Sequence, residues 1–306
     1  MSMMRKEFSV AVEEILSTNP KSVFITADLG FNALEPIQKT AKERFINAGV
    51  AEQNMIGVAA GLAYKGFETF VYNIAPFAVL RSLEQIKIDI CIHNLPVYII
   101  GNGGGYGYGV MGVTHHAIED IACISTLPNI RCWIPAFTED LSYCIQQIYS
   151  LKKPAYLRLG LGDNYPKKIE ISEINSILNT NSPKITIVVL GPVIQNVLKA
   201  VEDFSEIDVF TILTVPVFEL SHDLLTSFSE SRKIMVIEEH VERGGLGEHL
   251  LSLLAKNSIP FSRFVGLHAK GYPSGVYGDQ AFHQKESGLD SESIREQIIE
   301  LLAYND

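Results

Sequence analysis

The 306-residue sequence lacks long apolar runs and an excess of basic residues. No run approaches the roughly 20 apolar residues of a membrane-spanning helix. Glu13 and Glu14 interrupt the N-terminus before an apolar stretch of signal-peptide length can form. We therefore expect a cytoplasmic protein that does not bind membranes. The 35 acidic residues outnumber the 25 basic ones, giving a net charge of −10, which disfavours nucleic acid and anionic lipid as partners.

Cysteine is scarce as well: the chain has only four, and no two of them share the C-x-x-C spacing of a metal or redox motif. Each lies within an apolar stretch, which favours reduced, buried thiols over disulfides or zinc ligands. These residues are Cys91, Cys123, Cys132 and Cys144. Hydrophobic residues make up 47% and charged residues 20% of the chain, as in ordinary globular proteins. At roughly 150 residues per domain, the length predicts two domains.

Short apolar runs alternate with helical patterns along the first half of the chain. Strands are predicted at 23–27, 45–49, 69–72, 96–101, 130–134 and 155–159, and helices at 51–64, 77–93 and 138–151. Such alternation predicts an α/β fold with a mostly parallel sheet flanked by helices.

A second, smaller set of alternating elements follows and predicts another α/β domain. Its strands are predicted at 185–191, 208–213 and 233–239, and its helices near 193–202, 245–255 and 291–303. Between the two sets, over 162–184, the alternation is lost and Asn, Ser, Pro and Lys become frequent, as in a surface linker. The predicted organisation is a first domain over 1–165, a linker over 166–183 and a second domain over 184–306.

The segment 101–120 is rich in glycine and directly follows a predicted strand. Gly107, Gly109 and Gly112 satisfy the G-x-G-x-x-G spacing of dinucleotide-binding folds. Neither a helix start after Gly112 nor an acidic residue about 20 positions further on supports that interpretation. We expect instead a loop whose backbone approaches a ligand closely, at the edge of the sheet where open α/β folds bind ligands.

Two adjacent histidines, His115 and His116, end this glycine-rich segment. Imidazole can carry a proton near neutral pH, so the pair indicates a role in proton transfer. A hydrogen-bonded structural role is the alternative. A zinc site is disfavoured, because adjacent side chains point in different directions and no third ligand is apparent.

Glu52 lies at the start of a predicted helix rich in Ala, Gly, Val and Ile. A charged, unpaired carboxylate inside an apolar helix costs several kcal/mol, so it is usually either partnered or protonated. Glu52 is therefore a candidate functional residue. The alternative is that it only complements the dipole in the first helical turn.

Four segments together resemble the C-terminal half of the transketolase family, including the related deoxyxylulose phosphate synthases. They are FINAGVAEQNMIGVAAGLAYKG (45–66), FVYNIAPFAVLRSLEQI (70–86), GYGVMGVTHHAIEDIACISTLPNIRCWIPA (107–136) and IEEHVERGGLG (237–247). The resemblance implies a pyrimidine-binding domain followed by a transketolase C-terminal domain.

The family's G-D-G motif with a downstream Asn, which holds Mg²⁺ and the coenzyme diphosphate, is not found. Gly162-Asp163-Asn164 lacks the third glycine. The resemblance therefore implies a split transketolase, in which an N-terminal subunit carrying that motif binds Mg²⁺ and the diphosphate end of thiamine diphosphate. Two copies of each chain are expected, with a homodimer of this chain inside a heterotetramer.

The resemblance also assigns the residues around the coenzyme. Glu52 matches the glutamate that hydrogen-bonds N1' of the aminopyrimidine and favours its imino tautomer. Phe77 matches the aromatic residue stacked on that ring, with Ile74 and Leu80 as apolar neighbours. Asp28 matches an aspartate at the edge of the coenzyme site.

The expected substrate contacts follow in the same way. His115 matches the histidine that contacts the substrate oxygen and assists proton transfer, Arg158 an arginine that binds the sugar phosphate, and Asn32 a further substrate contact. The chain departs from the family at Met111, where sugar-phosphate transketolases have aspartate, and at Gly103, where they have histidine. Because both family residues handle substrate hydroxyls, we expect an altered substrate preference.

The expected activity is transfer of a two-carbon ketol unit between sugar-type substrates. Tyr106 and Tyr108 are candidates to supply the missing hydroxyl contacts. Two alternatives stay open: the beta subunit of a 2-oxoacid dehydrogenase, and a non-catalytic regulatory subunit. The G-V-T-H segment (112–115) favours the transketolase branch over the first, and the presence of Glu52, Phe77 and His115 argues against the second.

Overall fold

The computed structural model describes residues 3–30 and 33–304. In this part of the chain, two mostly parallel sheets are flanked by helices. The predicted α/β class is confirmed. Apolar side chains of both sheets pack against the helices on either face and form the core.

Seven strands of the described residues form the first sheet, in the spatial order β10-β5-β6-β4-β3-β1-β2. All neighbours are parallel except β10 and β5. The strands are β1 (Ser22–Thr26), β2 (Phe45–Asn47), β3 (Glu68–Ile74), β4 (Val97–Asn102), β5 (Arg131–Trp133), β6 (Ala155–Leu159) and β10 (Thr214–Val215). Strands covered on both faces read as continuous apolar runs, and every residue of the central β3 is buried.

The helices that flank this sheet are α1 (Met3–Thr18), α2 (Glu35–Ala41), α3 (Glu52–Tyr64), α4 (Ala75–Val79), α5 (Leu83–Gln85), α6 (Asp120–Ser125) and α7 (Asp140–Leu151), with 3₁₀ turns at Lys42–Arg44 and Gly109–Met111. Helix α1 was not among the predicted elements. Four of its apolar residues recur at every fourth position and are buried: Met4, Phe8, Val12 and Leu16.

The single helix predicted over 77–93 is wrong. The structure has α4, a turn at residues 80–82, α5 and then a π-helix over Ile86–Cys91. Backbone hydrogen bonds with five-residue spacing, from Ile92 N to Lys87 O and from Leu95 N to Ile90 O, are each 3.1 Å long. Widened turns of this kind often occur at functional sites.

The second sheet has the order β12-β11-β8-β9-β7 among the described residues. Its strands are β7 (Ile174–Leu178), β8 (Ile185–Leu190), β9 (Ile207–Ile212), β11 (Lys233–Glu238) and β12 (Arg263–Leu267). The flanking helices are α8 (Ile194–Ala200), α9 (His222–Ser231), α10 (Leu246–Lys256), α11 (Gln280–Ser287) and α12 (Ser291–Ala303). Helix α12 has the bounds predicted for it.

Two strands differ from the organisation expected from the sequence. Strand β7 lies inside the predicted linker and pairs antiparallel with β9. This strand was not predicted, because its composition is partly polar. As an edge strand it buries only alternate residues. Strand β10 comes from the second half of the chain but pairs with β5 of the first sheet, so the two halves share hydrogen bonds.

Two features of the described residues concern the cysteines and the lengths of the helices. All four cysteines are free, and three of them, Cys91, Cys132 and Cys144, are buried. Within residues 3–30 and 33–304, no helix combines the length and apolar character needed to cross a membrane.

Candidate active site

Glu52 is the first residue of α3 and is buried, with 7% of its surface exposed. Its Oε1 accepts hydrogen bonds from Arg81 Nη1 at 2.9 Å and from Asn73 Nδ2 at 3.3 Å. Of the two states expected for this carboxylate, the structure therefore has the partnered one. Asn73 is near the end of β3, where the parallel strands direct their following loops to one edge of the sheet.

Phe77 lies in α4, which begins immediately after β3 and carries Pro76 in its first turn. The guanidinium carbon of Arg81 is 3.8 Å from the centroid of the Phe77 ring. Arg81 thus contacts both groups that were assigned to the coenzyme ring, Phe77 and Glu52. This arginine was not predicted from the sequence, although it follows Phe77 by four residues, the spacing of neighbours on one helix face.

His115 is the third member of the same cluster. Its ring meets Phe77 edge-on, with centroids 5.0 Å apart, and lies 5.7 Å from the ring of Tyr108. Its Nδ1 is 2.8 Å from Thr114 Oγ1. The structure therefore brings Glu52, Phe77 and His115 together from three separate segments of the chain.

Tyr108 occupies the space next to Gly103. Gly103 has φ +74°, and a Cβ built on it would collide with the Tyr108 ring. The Tyr108 hydroxyl accepts a hydrogen bond from Asn102 Nδ2 at 2.6 Å. Burial raises the pKa of Tyr108, while the Asn102 bond and the nearby charge of Arg5 act in the opposite direction. Arg5, on α1, is a second cation of this region that the sequence analysis missed.

Tyr106 was the other candidate to contact a substrate hydroxyl, but its position does not suit that role. It is fully buried, and its hydroxyl is engaged with Gly271 O at 3.0 Å and Ser287 Oγ at 3.2 Å. Of the two tyrosines considered from the sequence, only Tyr108 lies beside His115.

The other predicted coenzyme and substrate residues are less closely grouped. Ile74 is buried at the end of β3, whereas Leu80 and Met111 are 42% and 54% exposed. Asp28 is exposed at the end of β1, where its carboxylate accepts a hydrogen bond from Asn47 Nδ2 at 2.9 Å. Asn32 lies outside the described residues.

Arg158, the predicted sugar-phosphate ligand, lies on β6 and is bonded to polar groups of this chain. It is only 7% exposed. Its Nη2 donates to the Glu239 backbone oxygen at 2.8 Å, and its Nε is 3.5 Å from Asp120 Oδ2. Tyr156 also donates to that Asp120 oxygen, at 2.5 Å. The guanidinium is therefore engaged in an interior polar network between the two halves, which the sequence position alone does not reveal.

Two family models match the chain. The transketolase pyrimidine-binding domain matches residues 1–163, and the transketolase C-terminal domain matches residues 176–294. Among curated proteins, one of the subunits of the apulose-4-phosphate transketolase of Phocaeicola vulgatus is 28% identical over 99% of this chain and 98% of its own length. The protein of the same name from Actinobacillus succinogenes is 28% identical over 88% of each chain.

Longer relatives match as well. The 1-deoxy-D-xylulose-5-phosphate synthase of Clostridium perfringens is 28% identical over 96% of this chain but only 48% of its own length. A solved structure described as a split gene transketolase, inactive beta4 tetramer, has a TM-score of 0.80 at 27% identity and covers 98% of this chain and 97% of its own. Transketolase of Pichia stipitis shares the fold, with a TM-score of 0.77 at 18% identity.

Proposed function

The chain belongs to the transketolase family, and on that premise we propose that it is the pyrimidine-binding subunit of a split, thiamine-diphosphate-dependent transketolase. The proposed reaction moves a two-carbon ketol unit between sugar-type substrates. A second chain carrying the G-D-G and Asn motif would hold Mg²⁺ and the diphosphate. Two copies of this chain would form a homodimer within the heterotetramer.

The grouping of Glu52, Phe77 and His115 is the observation that carries this proposal. A buried carboxylate beside an aromatic ring fits one end of a flat, polar heterocycle such as the aminopyrimidine. The Arg81 guanidinium, itself flat and polar, lies on the same two groups. A pyrimidine can take that position only when the guanidinium moves aside.

The comparisons support the division of labour between chains. The relatives named as single subunits of a transketolase match this chain over most of both lengths, and so does the split gene transketolase described as an inactive beta4 tetramer. The proposal therefore assigns to this chain only the residues around the pyrimidine and the substrate.

When bound, thiamine diphosphate supplies the nucleophilic carbon that takes up the two-carbon unit. In this proposal, Glu52 hydrogen-bonds N1' of the coenzyme and Phe77 orients its ring by stacking. His115 would donate or accept a proton at the substrate oxygen, since imidazole titrates near neutral pH. The Tyr108 hydroxyl, beside His115, would contact a substrate hydroxyl in place of the family histidine that Gly103 lacks.

The decisive experiment is Glu52→Gln in the complex reconstituted with its partner. We expect activity to fall at least a hundredfold, the scale on which proton-transfer groups contribute. Glu68→Gln is a matched control, because Glu68 is also buried, at 8% exposure, and has its own cation, Lys152, at 3.2 Å. Wild-type activity of Glu52→Gln, or equal losses in both variants, would refute the assignment.

The partner requirement and the substrate have separate tests. We expect this chain alone to show no ketol transfer with thiamine diphosphate and Mg²⁺, and activity without a partner would refute the split. Apulose 4-phosphate is the first substrate to assay, because two relatives carry it in their names. Efficient use of xylulose 5-phosphate with ribose 5-phosphate would show that Gly103 and Met111 are neutral, and transfer to a lipoyl acceptor would instead favour the 2-oxoacid dehydrogenase alternative.

A further inference from the structure

The glycine loop, residues 103–117, carries His115 near one end and is closed at its base by paired backbone bonds. Gly105 N donates to Ala117 O at 2.9 Å, and Ala117 N donates to Gly105 O at 2.8 Å. Between these two residues the backbone forms one 3₁₀ turn and several hydrogen-bonded turns, among them bonds from His115 N and His116 N to Gly112 O at 2.9 and 3.1 Å. Side-chain contacts then attach the loop to the C-terminal half.

His116 makes such contacts and points away from the site cluster. It is 2% exposed, and both ring nitrogens are bonded: Nε2 lies 2.7 Å from Gly109 O and Nδ1 lies 2.9 Å from the Tyr272 hydroxyl. A carbonyl oxygen only accepts, so Nε2 carries the proton and Nδ1 accepts from the tyrosine. Burial lowers the pKa of His116, which favours the neutral ring that this pattern requires.

The tyrosine that holds His116 belongs to the C-terminal half. The Tyr272 ring stacks on His116 with centroids 5.6 Å apart and planes 16° apart. The residue before it, Gly271, is bonded on both sides to the buried Tyr106 hydroxyl, which donates to Gly271 O at 3.0 Å and accepts from Gly271 N at 3.1 Å. Tyr106 is itself part of the glycine loop. The loop is therefore hydrogen-bonded to the C-terminal half at two places, through His116 and through Tyr106.

Gly109 and Gly112 of the glycine loop also pack against the C-terminal half, at Asp279 and Tyr277. A Cβ on Gly109 would lie 3.1 Å from Asp279 Cα, and one on Gly112 would lie 3.1 Å from the Tyr277 ring. Such close approach needs glycine, since both residues also have positive φ. The C-terminal half therefore restrains the backbone at the first residue of the 3₁₀ turn, Gly109, and at Gly112, three residues before His115.

We infer that His116 and Tyr272 are positioning residues for His115, through which the C-terminal half takes part in the reaction. This inference rests on the proposed function, because it assumes that His115 contacts substrate. A side chain must be held to about half an ångström for proton transfer, and neighbours such as these supply the restraint. The Tyr272 hydrogen bond fixes the His116 ring, the His116 ring fixes Gly109, and the loop between them presents His115.

The test uses the complex reconstituted with its partner, and the first variant is Tyr272→Phe, which removes one hydroxyl and keeps the ring. We expect kcat to fall about three- to tenfold, the range for one lost hydrogen bond, with the Kd for thiamine diphosphate unchanged. His116→Leu removes both bonds and should lower kcat further. His116→Gln, whose amide can still donate to Gly109 O, should recover part of that loss.

Tyr165→Phe is the matched control, because Tyr165 also donates to a buried acceptor, Asp140 Oδ1 at 2.5 Å, but away from the glycine loop. It should lower the melting temperature and leave kcat unchanged. The inference is overturned if Tyr272→Phe keeps the wild-type kcat, or if His116→Gln recovers nothing relative to His116→Leu. Since Glu52→Gln tests the proposed function separately, an inactive Glu52→Gln beside a fully active Tyr272→Phe would refute only the positioning role.

Discussion

Removing the Arg81 side chain should strengthen coenzyme binding. In the structure the guanidinium is hydrogen-bonded to Glu52 Oε1 at 2.9 Å and lies 3.8 Å from the Phe77 centroid. These are the two groups that the proposed function assigns to the aminopyrimidine. A ligand ring must therefore break both contacts, and Arg81→Ala removes that cost.

The size of the effect follows from the two contacts. A cation over an aromatic ring at an exposed site contributes about 0.5–1 kcal/mol. The ion pair with Glu52 contributes about 1 kcal/mol, the upper value for an exposed pair, because 46% of the Arg81 side chain is exposed to solvent. Their sum of about 1.5–2 kcal/mol predicts a Kd for thiamine diphosphate about 10- to 30-fold lower than in the wild type.

Isothermal titration of thiamine diphosphate into the reconstituted complex, with Mg²⁺ in excess, measures this Kd directly. Arg81→Lys keeps the charge but loses the planar group, so its Kd should lie between those of the wild type and Arg81→Ala. Lys152→Ala breaks a comparable pair with the buried Glu68 and should leave the Kd unchanged. If Arg81→Ala binds the coenzyme no more tightly than the wild type, the guanidinium does not compete for the ring's position.

Three further predictions concern stability. Gly103→Ala should lower the free energy of unfolding by about 1–3 kcal/mol, because φ is +74° and the new methyl group meets the Tyr108 ring. Urea denaturation measures this change, and an unchanged urea midpoint would contradict it. Arg158→Met should cost about 3–5 kcal/mol by leaving Asp120 without its cation, with KM for a sugar phosphate unchanged, whereas a raised KM at normal stability would support the phosphate-binding role. Burial raises the pKa of Glu238 to about 7, so the folded chain binds this proton more tightly than the unfolded chain and stability should fall as pH rises from 5 to 7. Urea denaturation at pH 5 and at pH 7 measures this fall in stability. Glu238→Gln should reduce the fall, and an unchanged fall would show that Glu238 does not cause it.

The sequence predicted the buried strands and most of the site cluster, because their signals are local. AYLRL (155–159) is an apolar run interrupted only by Arg158 and followed by glycine, and β6 has those bounds. Glu52 and His115 were singled out as chemically unusual in their surroundings. Arg81 was missed, because its position in the sequence gives no sign that its guanidinium meets Glu52, 29 positions away.

Arg158 marks the limit of reasoning from sequence position. A strand end in an α/β fold predicts exposure to the ligand crevice, but the C-terminal half covers this one and Glu239 accepts its hydrogen bond. Likewise His115 and His116 are equivalent as residue types. Only packing sends His115 to Phe77 and His116 to Tyr272.

Composition, short-range patterns and motifs were enough to predict the α/β class, the charge, the burial of three of the four cysteines and the family. Which polar groups meet depends on the packed fold. It paired Glu52 with Arg81, enclosed Arg158 with Asp120, and tied the glycine loop to the C-terminal half. The physical reason is that hydrogen bonds and ion pairs act over a few ångströms between residues far apart in the chain, so their partners exist only after the elements have packed.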